Sequence, residues 1–110
     1  MSEQPKPLTT LDVVAMKRAG RKIVSLTAYD ALMARMLDAS GVDLILVGDS
    51  VNQVVAGRRS TLSATLDQMI YHAQSVVRGI SRCLVVVDMP FGSYQSNSEV
   101  ALASAIKIMK

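Results

Sequence analysis

The sequence predicts an α/β fold in which helices cover a parallel sheet. Three short apolar runs, at residues 23–27, 44–47 and 84–87, are each followed by a segment whose apolar residues recur at helical spacing. Half of the 110 residues are hydrophobic and 19% are charged, below the usual quarter. That balance favours buried strands over disorder.

The elements follow in order. Residues 1–8 read as a flexible arm, because Pro5 and Pro7 oppose helix. Thr9 or Thr10 can cap a short helix reaching about Ala19, and Gly20 stops it. Residues 23–27 begin and end on β-branched side chains, which suggests a buried strand. A helix is expected over 30–39, with Leu32, Met33, Met36 and Leu37 on one stripe and Gly41 beyond its end. Residues 44–47 form a continuous apolar strand closed by Gly48-Asp49-Ser50, and a long loop then runs through Gly57 and Arg58-Arg59-Ser60-Thr61. The stripe Leu66, Met69, Ile70, Ala73, Val76, Val77 predicts a helix over 66–78, ended by Gly79. Residues 84–87 are a third buried strand, closed by Asp88-Met89-Pro90, and Ser98 caps an apolar helix still running at Lys110.

The pattern is thus a leading helix and three βα units. Right-handed connections between sequential neighbours place the three strands side by side. Periodicity leaves barrel and open sheet undecided. After residues 101–109 no further loop or strand follows, and a three-stranded parallel sheet has unpaired edges. The chain therefore reads as an incomplete segment, residues 1–110, of one larger barrel domain.

Composition excludes several classes. The net charge is +3 with Lys and Arg scattered, and the aromatic residues are three Tyr and one Phe, with no Trp. Nucleic acid is not an expected partner. The single cysteine, Cys83, reads as a small apolar filler and suits a reducing compartment. The N-terminus lacks the apolar stretch of a signal peptide, and the longest apolar run is too short for a bilayer. A soluble, cytoplasmic protein without a membrane partner is expected.

Chemistry concentrates at two strand ends. Asp49 stands just past the second strand and Asp88 just past the third. Adjacent strands lie about 4.8 Å apart, so two carboxylates at matching heights could share one cation. Hard oxygen ligands favour Mg²⁺ over Zn²⁺. A strand-ending Asp also commonly opens an Asx-turn, and spacing alone leaves both readings open. Ser50 could offer its hydroxyl and N–H to a substrate carboxylate, or be a turn residue. Arg58 and Arg59 could attract an anion, though loop arginines are more often solvated. His72 suits packing against a neighbouring element better than ligation, and the seven methionines read as core filler.

Five motifs, in this order, resemble one family. They are Leu26-Thr27-Ala28-Tyr29-Asp30, Leu46-Val47-Gly48-Asp49-Ser50, Ser60-Thr61-Leu62, Tyr71-His72 with Val77-Arg78-Gly79, and Asp88-Met89-Pro90-Phe91. Together they resemble the ketopantoate (3-methyl-2-oxobutanoate) hydroxymethyltransferases of pantothenate synthesis, over about residues 8–110. The resemblance implies the N-terminal part of a (β/α)8 TIM barrel in a homo-oligomer. It implies transfer of a hydroxymethyl group from 5,10-methylenetetrahydrofolate to 3-methyl-2-oxobutanoate, forming 2-dehydropantoate through a Mg²⁺-stabilised enolate. It assigns Asp49 and Asp88 to the metal, and Asp49, Ser50 and Asp88 to the keto acid.

Some family positions are not matched. The third metal-site acid and the substrate lysine belong to the next strand, and the general-base glutamate lies further on. Lys110 corresponds to the preceding helix and is not that lysine. The chain by itself is therefore expected to be inactive. Arg59 stands where the family usually has an acid, and Ser63 where it usually has proline. Competing readings are another Mg²⁺–enolate barrel of the phosphoenolpyruvate mutase or isocitrate lyase kind, and a non-catalytic interaction fragment. A phosphorelay receiver domain fits less well, given the leading helix and the lack of an acidic pair after the first strand.

Overall fold

A computed structural model describes residues 6–110. Most of the predicted arm, residues 1–5, lies outside the described residues, and its remainder has no regular structure. The Leu8 N–H donates to the Arg82 carbonyl (2.8 Å), which fastens the arm's end to the sheet.

The first helix, α1, spans Thr10–Arg18 and is capped by Thr9, whose side chain accepts from the Asp12 N–H while Asp12 accepts from the Thr9 N–H. This reciprocal box satisfies two otherwise orphaned donors. Gly20, at φ +74°, then turns the chain as only glycine does without strain. Strand β1 spans Ser25–Thr27, helix α2 Ala31–Ala39 and strand β2 Leu44–Val47. A short helix α3 follows at Val51–Val54, then α4 at Leu66–Gly79, strand β3 at Leu84–Val87 and α5 at Ser98–Met109.

The three strands form one parallel sheet in the order β1-β2-β3, as right-handed sequential connections predict. Ser25, Leu26 and Thr27 pair with Leu44, Ile45 and Leu46, while Leu44 to Val47 pair with Leu84 to Val87. Side chains alternate between faces. Ile45 and Val47 are fully buried and, with the partly buried Val85 and Val87, pack with Ala34, Met69 and Val76. That cluster joins the sheet to α2 and α4. The other face keeps Leu44, Leu46 and Leu84 half-buried and Val86 exposed.

Six expectations need correction. On α2, Leu32, Met33 and Met36 of the predicted stripe are exposed and Ala34 is the buried residue. Among the described methionines only Met16 and Met69 are buried, while Met33, Met36 and Met109 are exposed, so they do not serve generally as core filler. β1 is shorter than 23–27 and exposed along its length, not buried. Its start is trimmed because the Val24 N–H donates to the Asp43 carboxylate (3.0 Å) instead of a strand carbonyl, and as an outer strand it is paired on one side only. β3 is only partly buried. The predicted long loop after Ser50 contains α3, whose four residues are too few to show a helical period. Finally, α5 is capped by Asn97, whose side chain accepts from the Val100 N–H (2.8 Å), and Ser98 is its first residue.

Two contacts set the helix layer. Thr65 caps α4 and forms the same reciprocal box with Gln68. At the other end of α4, a Cβ placed on Gly79 would overlap the Ala31 carbonyl. The α2–α4 crossing therefore depends on glycine at that point.

Candidate functional site

Both site aspartates leave the same edge of the sheet, where β2 and β3 end. The ladder runs one step past the strands, since the Asp88 N–H donates to the Val47 carbonyl (3.0 Å). This sets Asp88 opposite Gly48, not opposite Asp49. The aspartates are therefore offset by one residue, which corrects the expectation of matching heights. The chain compensates locally: the Asp49 N–H donates to Oδ2 of Asp88 at 3.1 Å.

Gly48 makes room for that contact. A Cβ built there would lie 3.2 Å from Oδ2 of Asp88 and 3.4 Å from Oγ of Ser50. Any larger residue would fill the cradle in which these two side chains approach. Immediately afterwards the backbone turns into α3: Val51 N–H donates to Gly48 O and Asn52 N–H to Asp49 O, both at 3.1 Å. This turn lifts Asp49 and Ser50 off the ladder and leaves both half-buried.

Ser50 does not cap α3 with its side chain. Its hydroxyl instead meets the Tyr29 phenol, with 2.6 Å between the oxygens. Tyr29 follows β1 and is itself held from α4, where Nδ1 of His72 lies 2.7 Å from the Tyr29 carbonyl oxygen. A carbonyl only accepts, so Nδ1 carries the proton and His72 donates. The expected packing role of His72 is thus a directed hydrogen bond that ties α4 to the end of β1.

The loop beyond α3 is organised by Asn52, which is buried and donates through Nδ2 to the Ser60 carbonyl (2.7 Å) and to Oγ of Ser63 (2.9 Å). Ser63, an unusual residue for its place in the resemblance, is used here as an acceptor. Arg58 and Arg59 are exposed. On the β3 side, the Ser93 hydroxyl and N–H both donate to the Pro90 carbonyl, at 2.6 and 3.0 Å, and stiffen the turn after Asp88. A cleft of about 470 Å³ opens there, with the exposed Leu62 and Phe91 on its walls.

Two carboxylates, those of Asp49 and Asp88, stand at this end of the sheet. Asp49 and Asp88 offer carboxylate oxygens, and among the described residues the Asp49 carboxylate accepts no hydrogen bond. Among the described residues no group of three or more Asp, Glu, His or Cys side chains is placed to hold a metal ion. A set of two carboxylates fits Mg²⁺, which keeps several waters, and does not fit a closed structural zinc site.

Sequence reasoning named Asp49, Ser50 and Asp88, and the structure brings all three to one sheet end. It missed Tyr29 and Asn52 as organisers and Gly48 as a spacer. Tyr29 stood inside a quoted motif, but nothing in its spacing shows that the phenol reaches Ser50. Asn52 carried no signal, because its partners lie eight and eleven residues away in an irregular loop.

The chain is similar to known proteins over nearly its whole length. A profile described as ketopantoate hydroxymethyltransferase matches residues 7–110. A 3-methyl-2-oxobutanoate hydroxymethyltransferase of Cytophaga hutchinsonii is 64% identical over 105 residues, covering 96% of this chain and 39% of the relative. Proteins of the same name from Flavobacterium johnsoniae (61% over 105 residues, 96% of this chain and 39% of the relative) and Bacteroides fragilis (56% over 110 residues, 100% and 40%) are also similar. The chain spans about two fifths of the length of the curated relatives it matches. No helix among the described residues is long and apolar enough to cross a membrane.

Proposed function

Because the chain belongs to the ketopantoate hydroxymethyltransferase family, we propose that its sheet end is the part of that enzyme's site which binds Mg²⁺ and the 2-oxo acid. The observation that carries this reading is the Asp49–Asp88 contact over Gly48, with the Ser50 hydroxyl beside it. The reaction served is transfer of the one-carbon unit of 5,10-methylenetetrahydrofolate to 3-methyl-2-oxobutanoate.

Asp49 and Asp88 would hold the metal. When bound, Mg²⁺ supplies positive charge at the keto oxygen and so favours loss of the C3 proton. The protein's own contributions are separable. The Asp49 N–H fixes Oδ2 of Asp88, which aims that carboxylate. Ser50 offers a hydroxyl to the carboxylate of the keto acid. The α3 turn presents Asp49 at its start, clear of the ladder. A general base, which abstracts the C3 proton, contributes about 10²- to 10⁴-fold. The family's glutamate base matches none of these 110 residues, so they are expected to bind but not to turn over.

The test is calorimetric titration of the 110-residue chain with 3-methyl-2-oxobutanoate, with and without Mg²⁺. Binding should require Mg²⁺ and be lost in Asp49→Asn and Asp88→Asn, with no product formed when methylenetetrahydrofolate is added. Metal-independent binding, or preference for phosphoenolpyruvate or isocitrate, would reject the reading. Measurable turnover would reject the expected inactivity alone.

A further inference from the structure

Ser50 has two hydrogen-bonding capacities, a proton to give and lone pairs that accept. Its contact with Tyr29 uses one of them. A phenol is more acidic than an aliphatic hydroxyl, so it is the better donor of the pair, and the serine oxygen the better acceptor. At 2.6 Å the contact lies at the short end of the range for hydroxyl pairs, as expected where donor and acceptor are well matched. Tyr29 then occupies a Ser50 lone pair and leaves the serine proton free. Among the described residues no other hydrogen bond engages the Ser50 hydroxyl.

The phenol is not loosely placed. Its residue is half-buried against the apolar core that includes Ala28, Val47 and Val51. Its peptide is anchored by the His72 ring. The direction left for the serine proton is therefore set from β1 and α4, two elements that carry none of the proposed metal ligands.

We propose that Tyr29 is a positioning residue: its phenol, held by His72, fixes Ser50 as a hydrogen-bond donor to an anionic oxygen bound over Gly48 beside Asp88. This rests on the reading of Ser50 as a contact of the 2-oxo acid. Without the phenol, the serine hydroxyl rotates freely, and turning its proton toward the anion costs the freedom that the Tyr29 contact had already removed. Tyr29→Phe keeps the ring and its packing, so it removes the directing bond alone.

Two measurements test this on the full protein that carries these residues. In the first, tyrosine labelled with ¹³C at Cζ is followed by NMR in the wild type and Ser50→Ala. The Tyr29 resonance, assigned by its absence in Tyr29→Phe, should move while those of Tyr71 and Tyr94 stay in place. An unmoved Tyr29 resonance overturns the pair. In the second, 3-methyl-2-oxobutanoate is titrated in excess Mg²⁺ into the wild type, Tyr29→Phe, Ser50→Ala and the double variant. Tyr29→Phe should weaken binding by about three- to tenfold, and have no further effect once Ser50 is alanine. Equal losses in both backgrounds, or none in either, overturn the proposal, because a purely structural tyrosine would act independently of Ser50. Failure of the wild type to bind the keto acid rejects the functional reading instead, and the NMR result then decides the pair by itself.

Discussion

At the N-terminal end of the sheet, Asp38 accepts from the backbone N–H groups of Ser81, Arg82 and Cys83 and from the Ser81 hydroxyl. Close by, Asp43 accepts from the Val24 N–H and pairs with the Arg82 guanidinium at 2.8 Å. At the C-terminal end, Asp88 accepts one backbone N–H, and Asp49 accepts no hydrogen bond among the described residues. One end saturates its carboxylates and the other leaves them open. Saturated oxygens stitch α2, β2 and the approach to β3 together. Open oxygens make no such structural link.

The difference shows in acidity. Burial alone would raise the Asp38 carboxyl, but the Cys83 and Ser81 donors outweigh it and hold it well below the usual carboxylate range. Asp43 is lowered first by the Val24 N–H, against a smaller opposing effect of burial, with Arg82 adding to the lowering. The same surroundings act oppositely on Cys83: burial first, then the hydrogen bond and the charge of Asp38, push its thiol up to about 12.

The contrast can be attacked from both ends. The largest expected effect is on Cys83, whose ordinary value is 9.0. Its thiolate should be scarce near pH 8, so alkylation by iodoacetamide should run on the order of a thousandfold slower in the native protein than in urea. Comparable rates would mean that this end is not closed. Next, Asp38→Ala strands several backbone donors and should lower stability by about 2–4 kcal/mol in urea unfolding. The wild type should also lose stability in acid. The unfolded chain takes up protons near the ordinary value of 3.8, before the depressed folded carboxylates do. Stability from Asp38 and Asp43 is therefore full above that pH and drains away below it. Smallest of all, Asp49→Asn should change stability by no more than about 0.5 kcal/mol. A loss as large as that of Asp38→Ala would erase the distinction between the two ends.

Much of the framework was legible in the sequence. β2 and β3 match their predicted bounds because four continuous apolar residues closed by Gly-Asp or Asp-Met-Pro leave little freedom. The helix α4 shows its stripe directly, since Met69, Ala73 and Val76 are buried, whereas α2 has its predicted extent but buries Ala34 in place of the predicted stripe. β1 misled because its start is governed by Asp43, a side chain nineteen residues away. The identities of Asp49, Ser50 and Asp88 were legible from their places after strands. Their offset was not, since register belongs to the pairing of two segments and neither segment encodes it alone. The links from Tyr29 to Ser50 and from His72 to Tyr29 join residues 21 and 43 positions apart, beyond any local period.

Gly79 carries a consequence for reading variation in this protein. It contacts no proposed ligand group, yet the Ala31 carbonyl forbids it a side chain. In a library of single substitutions the position would look as intolerant as Asp88. The two intolerances differ in kind: a destabilised helix crossing is tempered by cooling or by a stabilising background, whereas a missing ligand is not. Rescue, more than sensitivity, separates residues that shape this chain from residues that act in it.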